Sequence, residues 1–138
     1  MSLLDRTLAV GDAMPDLTLP AVTRHMLALY CGASGDHNPL HTDIDFARRA
    51  GLPDVIAHGM LVMAWLGRAL TQWVPQNRLR SFEVRFVAQT QIGDVVRCSG
   101  RVTEIVSGAT GVVARVALQA SRQTGELLLT GAAEIAEP

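Results

Sequence analysis

Asp36 and His41 stand five positions apart in the stretch 35–41, GDHNPLH, whose composition is that of a loop. Asp36 and Asn38 favour local turns, and Pro39 keeps residue 38 extended. A carboxylate and an imidazole on one rigid loop can both reach a single water molecule. The imidazole supplies a base whose pKa lies near working pH, and the carboxylate supplies an acid or an acceptor that orients the water. Asn38 is placed to stiffen the loop and add a hydrogen bond behind the pair.

A second group follows. His58-Gly59 precedes a run of apolar residues that reads as a helix, so the unpaired amides and positive dipole end of its first turn begin at Gly59. A carbonyl placed there would have negative charge on its oxygen stabilised, an effect often worth about 3 kcal/mol. A glycine at that point lets a bound molecule touch the backbone.

Plainer readings stand beside these. By spacing alone, Asp36 also fits a turn residue and His41 a polar group flanking a helix. His25 and His37 read as exposed, and His58 as a structural ligand of the loop. Asp43 and Asp45 fit helix N-terminal acids. No third ligand has metal-binding spacing to Asp36 and His41, so no metal is expected. Ser34, in GASGD, lacks the second glycine and preceding strand of a nucleophile elbow.

The elements that must hold these residues are legible in outline. Thr23 is placed to cap a helix through His25, Met26, Leu29 and Tyr30, closed by Gly32 and Gly35. Asp43 caps a short helix, residues 44–50, which Gly51 ends. Residues 59–74, GMLVMAWLGRALTQWV, are apolar all round at first, which predicts a buried helix with Met60, Met63, Ala64, Gly67 and Leu70 on its most enclosed face. Beyond Pro75 the period changes to two. Phe82, Val84 and Phe86 form one alternating set, Val112 to Ala120 a second, and Leu127 to Ile135 a third, with turn signals between them. Such strands predict an antiparallel meander wrapped around the apolar helix, an α+β architecture in a single domain over residues 1–138.

Composition narrows the function. All 12 basic residues are Arg and none is Lys, which removes Schiff-base and P-loop lysine chemistry. The net charge of -1 gives no electrostatic case for nucleic acid or an anionic membrane. No apolar run approaches the roughly 20 residues that span a bilayer. Cys31 and Cys98 have no metal-ligand or CxxC spacing and read as reduced, buried thiols. No basic segment followed by an apolar core opens the chain, so a cytoplasmic protein without a signal peptide is expected. Arg48, Arg49, Arg78, Arg80 and Arg85 are candidate phosphate contacts, although on spacing alone a solvated face is the better reading of each.

The runs YCGASGDHNPLHTD, FARRAGL and IAHGML closely resemble the MaoC-like, (R)-specific enoyl-CoA hydratase family of hot-dog proteins, and within it the catalytic B-type subunits of (3R)-hydroxyacyl-ACP dehydratases. The likeness is strong over residues 23–66, and R-F-x-A with the later G-D extends it through 85–94. It implies a single hot-dog domain with its sheet wrapped around a long central helix. It implies a hydro-lyase acting on a trans-2-enoyl or (3R)-3-hydroxyacyl thioester of CoA or ACP, with no metal or redox cofactor. In that likeness Asp36 and His41 are the catalytic dyad, Asn38 stabilises the loop, and the Gly59 amide binds the thioester oxygen. Which member of the dyad is acid and which base stays open; the pair is expected to titrate as a unit. A dimer is implied, with itself or with another hot-dog subunit. Gly67 stands where some members carry Ser, and Gln89 where many carry Pro; Gly67 is expected to face an acyl tunnel and make room for a long chain. Thioester hydrolysis is the rival chemistry, but it needs a nucleophile beside the carbonyl, and 59–74 contains no Asp, Glu, Ser or Cys. A non-catalytic subunit is the other rival, and it has no need of an intact dyad.

Overall fold

The structure, a computed structural model, describes residues 6–138. Its elements in order are β1 (Ala13–Thr18), α1 (Arg24–Ser34), α2 (Ile44–Arg49), α3 (Gly59–Trp73), β2 (Leu79–Phe86), β3 (Arg97–Gly108), β4 (Gly111–Ser121) and β5 (Leu127–Ala136). One antiparallel sheet holds all five strands in the order β1-β3-β4-β5-β2. The expected meander is therefore confined to β3-β4-β5. Strand β2 crosses to the far edge to pair with β5, and β1 closes the other edge on β3.

Two strands escaped the periodicity. In β1 only Met14 is fully buried, and Pro15 has no N–H to give the ladder; the β1–β3 register shifts between Met14 and Leu17. In β3 the inward positions Cys98 and Val102 are separated by Gly100, which breaks the apolar alternation. A Cβ at Gly100 would lie 2.8 Å from Leu118, so glycine lets β4 pack close. A further shift at the β4–β5 pairing puts both Leu128 and Leu129 in the core, so the phase expected from Leu127 is broken there.

Helix α3 fills the concave face of the sheet, but not by the face expected. Its buried residues are Leu61, Val62, Leu66, Ala69, Leu70 and Trp73. Of the stripe read from sequence, only Leu70 is enclosed; Met60 is 54% exposed and Ala64 is exposed. A helix apolar on every side carries no phase, so the sequence could not choose between them. Gly67 does not open a tunnel in this chain either. A Cβ there would stand 3.2 Å from the Phe82 ring, which already fills the place.

A second apolar cluster, Val22, Leu27, Ala47, Val55, Ala57 and Leu61, lies under α1, α2 and the loop between them, and Trp65 packs against both clusters. Arg78, buried just after α3, donates to the carbonyls of Ala136 (2.7 Å) and Arg6 (3.1 Å) and pairs with Glu137 at 3.5 Å. It is thus occupied internally and is not free for a phosphate, as its sequence position had allowed. Cys31 and Cys98 are both free and buried, and burial pushes the Cys98 thiol up to about 12. No helix among the described residues is long and apolar enough to cross a membrane.

The placement of α3 is checked by two truncations followed by urea unfolding. Leu66→Ala is expected to cost about 2–5 kcal/mol, as for a fully buried leucine. Met60→Ala is expected to change stability by no more than about 0.5 kcal/mol. The reverse order would restore the face first read from sequence.

Candidate active site

The loop that carries Asp36 is built by local hydrogen bonds. Thr23 caps α1 by accepting the Met26 N–H at 3.2 Å. Gly35 ends the helix at φ 75°, a conformation that favours glycine, and its N–H returns to the Cys31 carbonyl. Ser34 Oγ donates to the Tyr30 carbonyl at 2.7 Å and accepts the Asp36 N–H at 3.1 Å. Asp36 Oδ1 in turn accepts the Asn38 N–H, and Asn38 Oδ1 accepts the Leu40 N–H at 3.0 Å. The last bond caps the tight turn Pro39–His41. Asp43 caps α2 through the amides of Asp45 and Phe46.

The turn delivers His41 against the segment before α3. Its Nδ1 lies 2.7 Å from the Ile56 carbonyl oxygen. A carbonyl only accepts, so Nδ1 carries the proton and Nε2 presents a lone pair. That nitrogen is 3.8 Å from Asp36 Oδ2, too far for a direct hydrogen bond but suited to one water held by both. The imidazole is nearly enclosed, at 11% exposure, while the carboxylate is open at 49%.

Behind them sits His58, 1% exposed. Its ring stacks on that of His41 with centroids 3.7 Å apart, and Tyr30 meets it edge-on at 4.8 Å. Its Nε2 donates to the Asp36 backbone carbonyl at 3.2 Å and lies 3.4 Å from Cys31 Sγ, while buried Nδ1 has no partner among the described residues. One side chain therefore touches both members of the pair. Burial lowers its pKa below the ordinary histidine value of 6.5, and the neighbouring His41 lowers it further. His58 is accordingly a neutral brace.

Donor atoms of Asp36, His41 and His58 all lie within 4.8 Å of one another. Spacing in the sequence offered no third ligand beside Asp36 and His41; the fold brings His58 to them from the next segment. The two rings are stacked, however, so their in-plane lone pairs run side by side and do not converge, and each ring commits one N–H to a carbonyl. This geometry suits a water and a proton better than a tetrahedral ion.

Gly59 is the first residue of α3, and its N-cap residue, His58, puts no side-chain hydrogen bond on the helix start. A cavity of about 320 Å³ is lined by His41, Ile56, Gly59, Val62, Phe86 and Gln89, among others. The structure therefore brings Asp36, His41, Asn38, His58 and Gly59 together. His25 and His37 are exposed, as expected. Sequence reasoning missed Tyr30, the Ile56 carbonyl and Phe86. A backbone carbonyl leaves no residue-type signal, whereas Phe86 lay within the R-F-x-A run that extends the family likeness. Gln89, noted only as a departure, lines the cavity itself.

A helix wrapped by an antiparallel sheet, with a loop carrying a carboxylate and an imidazole beside the helix start, defines a hot-dog protein. The sequence profile of the MaoC like domain family matches residues 12–123, and the chain belongs to that family. It is 37% identical over 120 residues to the fatty acid synthase subunit beta of Aspergillus oryzae, a match that covers 75% of this chain and 6% of that much longer protein. It superposes on the (R)-hydratase of A. caviae involved in PHA biosynthesis with a TM-score of 0.83 and 27% identity, covering 96% of this chain and 99% of that one. The HadBC (3R-hydroxyacyl-ACP dehydratase) complex of Mycobacterium tuberculosis shares the fold, with a TM-score of 0.73 and 13% identity over 94% of this chain and 97% of that one.

A buried neutral histidine has a signature in solution. Between pH 6.5 and the lower value of His58, the unfolded chain holds a proton that the folded chain refuses. Its contribution to stability is complete above that window and is lost as pH falls through it. The melting temperature is expected to drop further from about pH 7 to about pH 5 in the wild type than in His58→Phe, which keeps a ring there but does not titrate. Equal slopes would show that His58 is not held neutral.

Proposed function

We propose that the chain reversibly hydrates a trans-2-enoyl thioester, carried on CoA or ACP, to the (3R)-3-hydroxyacyl thioester. The observation that carries this is the pairing of Asp36 Oδ2 with His41 Nε2 at 3.8 Å, with His41 and Gly59 lining one cavity. Water sits between the carboxylate and the imidazole. Asp36 orients it as an acceptor, and its oxygen bonds to C3 as His41 Nε2 takes a proton. Negative charge develops on the thioester oxygen, where the Gly59 amide and the dipole of α3 receive it. The proton removed from water ends on C2, so the dyad returns to its starting state. Elimination of water from the hydroxyacyl thioester runs the same steps backwards. Neither a metal nor a redox cofactor enters.

Family membership and the match to an (R)-hydratase support this chemistry. Thioester hydrolysis finds no support, because α3 offers no carboxylate or thiol beside Gly59. The reading includes a partner hot-dog subunit, identical or different. Strand β2 is a sheet edge, and Met60 and Val87 leave apolar surface beside it; the HadBC neighbour is a complex. We place the protein in the cytoplasm, in keeping with two free buried thiols.

Loss of enoyl absorbance on mixing with trans-2-enoyl thioesters of CoA and of carrier protein tests the proposal. Asp36→Asn and His41→Ala are each expected to lower kcat by ~10²–10⁴-fold while the folded circular dichroism spectrum is kept. Full activity in either variant would remove the dyad, and thiol release without hydration would make the protein a thioesterase.

A further inference from the structure

Two phenylalanines of β2 sit on two glycines of α3. Phe82 lies against Gly67, where its ring fills a gap in ordinary packing. Phe86 lies against Gly59, and there the surroundings differ. A Cβ built on Gly59 would be 2.8 Å from Cε1 and 2.9 Å from Cδ1 of the Phe86 ring, so the ring edge rests on the backbone of the residue that offers the helix-start amide. Phe86, Gly59 and His41 line the same cavity. The ring is 52% exposed, unusual for so large an apolar group, and part of it faces that opening.

The Phe86 backbone cannot retreat. Phe86 is held in register opposite Leu129 of β5, and the next amide, Val87, donates to the Leu128 carbonyl at 2.9 Å. Only side-chain rotation is left to it. A thioester oxygen on the Gly59 amide places the carbonyl carbon beside this ring, and C2 is one bond further on. C2 must also reach the dyad, so it lies between His41 and the wall that Phe86 forms. A hydrogen on C2 fits such a slot, and a methyl group needs the volume the ring holds.

We propose that Phe86 is a specificity-determining residue that selects acyl thioesters unbranched at C2 by closing the slot over Gly59. This inference rests on the hydration reading and names the substrate class of the same site. The test compares kcat and KM for trans-2-butenoyl and trans-2-methyl-2-butenoyl thioesters, each offered on CoA and on carrier protein, in the wild type, Phe86→Ala and Phe86→Leu. Wild type should favour the unbranched substrate. Phe86→Ala should shift the ratio of kcat/KM values toward the branched one by roughly 10–200-fold, the range that one methyl commands in an apolar pocket, mainly through KM. Phe86→Leu, which keeps most of the bulk and serves should the alanine variant not fold, should shift it in the same direction by less. An unchanged ratio in a folded variant that still hydrates the unbranched substrate overturns the role of Phe86 alone. If wild type hydrates neither thioester on either carrier, the hydration reading falls, and this inference falls with it.

Discussion

The hydrogen bond from His41 Nδ1 to the Ile56 carbonyl, 2.7 Å long, is the constraint on which the site depends. It joins the loop after α1 to the segment leading into α3, two stretches of chain with separate origins. It also decides which nitrogen of the imidazole is open. Were that carbonyl turned away, His41 would be free to take the other tautomer, and the lone pair facing Asp36 would be replaced by a proton. Everything nearby defends this bond. The Ile56 N–H is itself taken up by the Leu40 carbonyl at 3.1 Å, and the Ala57 N–H by the Thr90 carbonyl at 2.8 Å. The segment is thus stitched to the loop on one side and to the sheet connection on the other. Arg24, ion-paired with Asp54, ties the start of α1 to the same stretch.

His58 adds a second kind of restraint. Hydrogen bonds fix distances along their axes, whereas a stacked ring resists tilt. With His41 stacked against it and Asp36 held through the main chain, the two side chains keep their separation although one is open to solvent. The cost is a buried nitrogen with no partner among the described residues, about 1–3 kcal/mol of stability in typical cases. Functional sites commonly carry such costs in exchange for preorganisation.

Local chemistry was the legible part of this molecule. Thr23, Gly35, Asn38, Asp43 and Gly51 each act within a few residues, and their types announced the caps and turns they form. Helix α3 was readable as a buried element from its composition. What required the whole chain was not readable: which side of an all-apolar helix faces the sheet, and that β2 pairs with the last strand. Strands β1 and β3 were hidden because Pro15 and Gly100 interrupt the alternation at the points where the sheet bulges or packs tightly. The Asp36–His41 pair was visible as residue types at a spacing. Its brace was named from sequence only as a ligand of the loop, since stacking of His58 on His41 depends on how two segments approach in space. Gln89 was seen as a departure from pattern, and its place in the wall of the cavity became evident only from the fold.

The clasp made by Arg78 has a topological consequence. By donating to the carbonyls of both residue 6 and residue 136, with the Leu8 amide on the Glu137 carboxylate at 3.2 Å, it gathers the two flanks of the domain at one spot. A domain whose entry and exit adjoin can be embedded in a larger polypeptide as a side-mounted bead, without stretching or rerouting its host. The fungal synthase subunit to which this chain is similar matches it over 6% of its own length. The Arg78 clasp supplies the geometry by which a fold of this kind could be carried that way.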